Sequence, residues 1–163
     1  MPDYWLDSDV FIESKKRWYR FATAPGFWSF IDQKVAERLI CASSRVYSEL
    51  VDSADDDLAA WARDRKGLPF FVDPDEAVQR ALGTIVDYVK TTYPGTKATD
   101  DFLAGADPWI IAHAQTHGGT VITLETRVSP GTRKAKIPDV CDHFGVGCDS
   151  LFEMVERLGM ILR

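Results

Sequence analysis

The sequence predicts an α/β fold of three layers, α/β/α, with a mainly parallel central sheet, spanning residues 1–163 as a single domain. Three observations point to it. Short apolar runs alternate with longer stretches in which apolar residues recur at helical spacing. Glycine and proline mark the junctions, as in Pro25-Gly26, Gly67, Pro94-Gly95 and Gly118-Gly119. Two short runs, 4–6 and 120–123, lead into acids, Asp7 and Glu125. Open α/β sheets bind ligands beyond the carboxyl ends of their strands. Acids there are well placed for chemistry and poorly placed for packing.

Residues 4–6 read as the first strand and 10–16 as a short helix that turns polar through Glu13-Ser14-Lys15-Lys16-Arg17. The aromatic stretch 18–25 reads as irregular. Phe27, Phe30, Ile31, Val35 and Leu39 then share one face of a helix. Residues 39–42 form a brief strand or an extended lead-in, and Ser43 or Ser44 caps the helix that carries Val46, Glu49 and Leu50. A helix over 55–65 turns Leu58 and Trp61 inward, Gly67 stops it, and 69–72 is a short strand. Asp73 or Asp75 opens a long helix to about Lys90, with Val78, Leu82, Ile85 and Val89 on one face. Residues 100–116 are mostly helical, with Pro108 tolerated in a first turn that needs no N–H there. After strand 120–123 come a polar, basic loop over 129–136, a short helix from Ile137, a strand at 146–148, a helix at 149–158 and a final edge strand at 160–162.

Composition narrows the function. A chain of 163 residues that is 45% hydrophobic, with five Trp and nine Phe, has material for a real core and is not a disordered protein. Its net charge of −6 opposes nucleic-acid binding by the overall field and leaves that task to a local basic patch. A cluster of uncompensated carboxylates at an active site would account for part of the excess. Cys41, Cys141 and Cys148 cannot all pair and lack the tight spacing of a metal site, which suits buried thiols in a reducing compartment. The three histidines are too scattered for a zinc site. No basic start precedes an apolar run, and no apolar stretch reaches the length of a membrane span. A cytoplasmic protein with no membrane association is the expectation.

The acids carry the sharper signal. Asp7 has the best claim to metal, although a strand-end acid often only caps the next helix. Asp9 can join it if the turn at Ser8 aims both acids at one site, because alternating side chains on an extended segment point opposite ways. Glu49 is ambiguous between ligand and surface residue. Asp107 opens a helix whose Pro108, Ile110, Ile111, Ala112 and Ala114 are apolar, so it either caps free N–H groups or reaches the crevice. Glu125 follows a strand, and Thr123 either bonds the turn or positions it. All-oxygen ligands of this kind suit Mg²⁺ or Mn²⁺, which activate water against a phosphodiester. Ser43, Ser44 and His113 form no convincing triad and read as cap and helix residues.

Four segments in order, Leu6-Asp7-Ser8-Asp9-Val10-Phe11-Ile12, Val46-Tyr47-Ser48-Glu49-Leu50, Ala106-Asp107-Pro108-Trp109-Ile110-Ile111-Ala112-His113-Ala114 and Val121-Ile122-Thr123-Leu124-Glu125, resemble the PIN-domain ribonucleases. That family includes the toxins of bacterial toxin–antitoxin pairs. The resemblance covers nearly the whole chain. It is nearest to a PIN-like subgroup of uncharacterised bacterial proteins, through Pro25-Gly26-Phe27-Trp28 and Lys136-Ile137-Pro138-Asp139-Val140-Cys141. It implies catalytic, metal-holding acids at Asp7, Glu49, Asp107 and Glu125, with Asp9 and Thr123 in support. Glu125 stands where the family usually has Asp, and Asp9 where Asn is commoner.

The resemblance further implies a metal-dependent endoribonuclease that hydrolyses single-stranded or structured RNA. It also implies an inhibitory antitoxin partner and is compatible with a homodimer. Lys15, Lys16, Arg17 and Arg20 make one candidate flank for the RNA backbone. Arg127, Arg133, Lys134 and Lys136 make the other. Two rival readings stand beside it. One is a catalytically inactive PIN-fold module that binds protein through aromatics such as Trp18, Tyr19, Trp28 or Trp61. The other is a phosphatase of the haloacid-dehalogenase type, for which Asp7-Ser8-Asp9 offers the paired acids but Val10-Phe11 breaks the pattern.

Overall fold

Residues 2–53, 56–127 and 134–163 are described by a computed structural model. Their strands form one sheet: β1 Tyr4–Leu6, β2 Ile40–Ser43, β3 Phe71–Val72, β4 Thr120–Ile122 and β5 Gly147–Asp149. The order is β3-β2-β1-β4-β5, and every pairing is parallel. A parallel sheet is covered on both faces, so its central strands bury successive residues rather than alternate ones. Trp5 and Leu6 in β1, and Val121 and Ile122 in β4, are accordingly fully buried. The chain builds outward from β1 through β2 to β3, then crosses back to lay β4 on the other side of β1. The strand order therefore reverses between β1 and β4, where such sheets open a crevice.

The helices are α1 Ser8–Glu13, α2 Pro25–Ala36, α3 Ser44–Asp52, α4 Asp56–Arg63, α5 Glu76–Thr92, α6 Lys97–Ala104, α7 Asp107–His117, α8 Ile137–Phe144 and α9 Leu151–Arg157. Several start where the sequence supplies a cap. The Ser43 hydroxyl accepts from the Arg45 N–H at 3.2 Å, and the Asp75 carboxylate from the Val78 N–H at 2.8 Å. Asp75 and not Asp73 opens α5, whose Val78, Ile85 and Val89 are buried. Leu58 and Trp61 of α4 point inward as expected, whereas Asp55, the expected start of that helix, lies outside the described residues. Gly119 has φ +99, and a Cβ there would stand 2.9 Å from the Pro2 carbonyl. Only glycine lets the chain turn from α7 into β4 so close to the start of β1.

Four expectations need correction. The helix expected at 10–16 begins at Ser8 and gives way after Glu13 to a π-helical turn, Ser14–Trp18, closed by the Tyr19 N–H on the Ser14 carbonyl at 2.7 Å. The turn therefore claims Trp18 from the stretch read as irregular. Leu39 lies outside α2, because Arg38 adopts φ +62 and ends the helical path. The helix expected from residue 100 begins earlier, at Lys97, and ends before Gly105-Ala106, while the new helix expected around Pro108 is α7. Residues 160–162 are not a strand: the Met160 N–H bonds the Val155 carbonyl at 2.9 Å across Gly159 (φ +73), and Leu162 is delivered against Gly26 of α2 instead of the sheet. Met160 remains packed on the core, but Ile161 is 70% exposed.

Candidate functional site

Asp7 occupies the N-cap position of α1, yet its carboxylate makes no capping hydrogen bond. It points instead across the switch point, where Oδ2 accepts from the Thr123 hydroxyl beyond β4 at 3.1 Å. Asp7 is 3% exposed and Thr123 2%. Asp107 lies in the first turn of α7, and the N-cap residue there, Ala106, provides no side-chain cap either. The helix runs back along the sheet into β4, so its start lies at the carboxyl edge. Among the described residues, no hydrogen bond or ion pair engages the Asp107 carboxylate. Both acids thus stand at helix starts without capping them.

Glu49 and Glu125 are held differently. Glu49, in α3, accepts from the Ala106 N–H at 2.8 Å with Oε1 and from the Ser8 hydroxyl with Oε2. One carboxylate thereby ties α3 to the starts of α1 and α7. Gly105 permits this approach, because a Cβ there would lie 3.1 Å from Glu49 Oε1. Glu125 Oε2 accepts from the Ile137 N–H at 2.8 Å, an otherwise unpartnered donor at the start of α8. The Glu125 N–H in turn donates to the Thr123 hydroxyl at 3.1 Å. Thr123 therefore joins Asp7 to Glu125 through one oxygen. Asp9 sits at the solvent rim.

The acids repel one another across this crevice. Burial raises the Asp7 carboxyl well above the ordinary Asp value, and Asp107, Asp9 and Glu125 raise it further against the Thr123 hydrogen bond. Asp107 is pushed up to about 7 by loss of water, then by Glu125, Glu49 and Asp9. Asp9 is raised by partial loss of water and by Glu13 and Glu49, with Lys136 and Lys16 pulling it down. Among the described residues, no three His, Cys, Asp or Glu side chains form a ready metal-ligand group. The gathered donors are carboxylate oxygens that suit a hard divalent cation keeping several of its waters.

Residues 4–162 match the family described as Domain of unknown function (DUF4411). The chain belongs to that family. No curated protein matches it. Two solved structures are similar to this DUF4411 member in fold. A chain in the crystal structure of DNA-bound VapBC from Salmonella typhimurium superposes with a TM-score of 0.56 at 17% identity, over 92% of this chain and 98% of that one. A chain of FitAcB from Neisseria gonorrhoeae gives a TM-score of 0.50 at 18% identity, over 89% and 95%. The three-layer, parallel, PIN-like fold expected from the sequence is the fold of this DUF4411 chain.

The basic flanks divide on inspection. Arg17 is paired with Glu13 at 2.6 Å, and Arg127 is held by both oxygens of Asp142 at 2.7 and 2.8 Å. Lys16 and Arg20 are exposed, and Arg20 Nε also donates to the Lys16 carbonyl at 3.2 Å. Lys134 is exposed and Lys136 half-buried, whereas Arg133 lies outside the described residues. Lys15 is half-buried in the π-helical turn. Sequence reasoning missed Ser8 as a donor to Glu49 and the main-chain N–H groups of Ala106 and Ile137. A small hydroxyl residue between two acids was the available signal for Ser8. The N–H groups leave no trace in side-chain identity.

Proposed function

We propose that this chain, acting as one PIN-like unit over residues 1–163, is a metal-dependent endoribonuclease that hydrolyses phosphodiester bonds of single-stranded RNA. The observation that carries the reading is the pair Asp7 and Asp107. Two shielded carboxylates stand at helix starts beside the switch point, cap nothing and repel each other. Burial of uncompensated charge is unfavourable without a cation partner. Mg²⁺ or Mn²⁺ would supply water activation and stabilisation of the leaving oxygen.

Asp7 and Asp107 are the residues that would hold the ion directly. Thr123 orients Asp7 through its hydroxyl. Glu49 fixes the start of α7 and so aims Asp107. Glu125 adds negative charge while holding α8. Asp9 guards the rim, where Lys16 and Lys136 are near enough to stabilise its carboxylate and to meet phosphates of an arriving strand.

The motif resemblance, with a fold shared with chains of VapBC and FitAcB, supports the toxin of a toxin–antitoxin pair. An antitoxin protein is then the expected partner, one that covers the crevice or inserts a cation among its acids. No helix among the described residues is long and apolar enough to cross a membrane.

The test compares wild type, Asp7→Asn and Asp107→Asn on single-stranded RNA, duplex RNA and DNA, with Mg²⁺, Mn²⁺ or a chelator. Wild type should cleave single-stranded RNA only with metal, and each variant should lose roughly 100-fold or more in rate. Cleavage at the wild-type rate by either purified variant would overturn the assignment. Growth arrest that persists in the double variant would point to toxicity by binding. No arrest by wild type and no binding to the adjacent gene's product would remove the toxin role while leaving the nuclease intact.

A further inference from the structure

We infer that Trp18 and Phe152 form a base-stacking step for single-stranded RNA at the rim of the acidic crevice, a deepening that rests on the nuclease reading above. Trp5, Trp28 and Trp61 are buried, whereas Trp18 is 42% and Phe152 46% exposed. The two rings meet edge to face, with centroids 5.1 Å apart and planes at 75°. That arrangement is favourable for the pair, and both rings keep nearly half of their surface for a third ring.

The exposure of Trp18 is enforced by its neighbours. The π-helical turn ends at Trp18, and π-turns are frequent at functional sites. The next residue, Tyr19, is pinned inward. Its ring stacks on Phe27 at 4.2 Å, and its carbonyl accepts from Trp28 Nε1 at 2.6 Å. Trp18 is therefore presented on a fixed backbone, and Phe152, from the first turn of α9, braces it.

Location ties the pair to the site. Ser150 and Glu153, on either side of Phe152 in sequence, share an open pocket of about 250 Å³ with Glu125. On the other side, Lys16 lies two residues before Trp18 and close enough to Asp9 to stabilise that carboxylate. The pocket of Glu125 thus borders the helix start that carries Phe152, and the turn that presents Trp18 also carries Lys16. Net charge −6 and a crevice of acids repel phosphates at long range. Base stacking supplies binding that does not depend on charge and accepts any base. A single strand satisfies both features of the rim, because its bases are free to leave the helix axis.

The experiment measures binding of short labelled oligouridylates to the Asp107→Asn protein, which leaves the strand uncut, across a salt series. Adding Trp18→Ala or Phe152→Ala should weaken binding roughly 5- to 100-fold. The slope of affinity against salt should not change, and Trp18→Phe should retain most of the affinity. Strands with one abasic residue, scanned along their length, should lose a similar factor at one position. The Trp18→Ala protein should not respond to that lesion. Unchanged binding by both alanine variants, or a loss that the abasic strands do not reproduce, overturns the inference. Intact RNA binding with lost capture of the adjacent gene's product would make the pair a protein-docking site instead. If otherwise wild-type protein carrying both alanines cleaves with unchanged KM, the stacking step fails and the nuclease stands. If wild type neither binds nor cleaves RNA, both fall.

Discussion

A raised carboxyl pKa is a statement about stability as well as chemistry. Asp107 titrates near 7 in the fold and near 3.9 in an unfolded chain, so the folded state binds the proton more tightly. This contribution is fully present below the unfolded value and is lost as pH rises through about 7. Asp7 acts in the same direction. His113, buried and stacked on Trp5 at 4.7 Å with neither ring nitrogen hydrogen-bonded among the described residues, is lowered to about 4 by loss of water. Its contribution has the opposite sign: it is present above about 6.5 and fades as pH falls through about 4. Metal-free protein should therefore gain thermal stability as pH is lowered from 8 to about 6.5, before His113 begins to charge. Asp107→Asn should reduce that gain and raise the pH 8 stability by about 1–2 kcal/mol. Thermal melts in chelator across pH, repeated with saturating Mg²⁺, check both points. A flat wild-type profile in chelator would contradict the mutual repulsion of the acids. Thr123 is the residue whose single oxygen serves Asp7 and Glu125 together. Thr123→Val keeps its shape and removes both contacts. Calorimetric titration with Mn²⁺ should show affinity falling about 10- to 100-fold with little change in melting.

At the scale of elements, the site is an arrangement of starts. α1, α7 and α8 all begin at the crevice, and acids from elsewhere in the chain hold all three: Glu49 bonds the N–H of Ala106 and the Ser8 hydroxyl, and Glu125 the N–H of Ile137. Gly105 sets the closeness of the first junction. Its backbone, at φ −88, admits any residue, so Gly105→Ala meets the Glu49 carboxylate at 3.1 Å and otherwise makes only ordinary contacts with the Asp101 and Phe102 carbonyls. That carboxylate ends a flexible side chain and can shift by a few tenths of an ångström. The variant should melt near wild type while cleavage slows roughly 3- to 10-fold through misplacement of the α7 start. Rates alongside melting curves test this, and a normal rate would show that Glu49 does not aim Asp107. The π-helical turn after α1 belongs to the same scale, since its extra residue turns Trp18 toward Phe152 and leaves Tyr19 for the core.

The whole molecule is acidic, so the proposed encounter with RNA would depend on a few cations. Arg17 and Arg127 are occupied by Glu13 and Asp142, and among the described residues Lys16 and Lys136 are cations that stabilise Asp9. Lys16→Gln with Lys136→Gln should weaken RNA binding and reduce the slope of log affinity against log salt by roughly 1 to 1.5, near the value for two lost phosphate contacts on a single strand. An unchanged slope in a salt titration would place the strand elsewhere. At the switch point between β1 and β4, elements distant in sequence meet at strand ends.

The sequence by itself determined the layers, the parallel sheet, most helix starts and the identity of the acids. Those features depend on near neighbours: apolar spacing, caps such as Ser43 and Asp75, proline in a first turn, and an acid directly after a strand. Tertiary structure decided what each acid does. Asp7 looks like a cap in sequence and declines that role because Thr123, 116 positions away, offers its hydroxyl across the sheet. Glu49 becomes a brace because Ser8 and Ala106, 41 and 57 positions away, converge on it. The segment 160–162 has the apolar pattern of a strand, but Gly159 turns it toward α2 and away from the sheet edge. Local pattern cannot choose among such outcomes, because long-range hydrogen bonds and burial are assigned only when the whole chain packs.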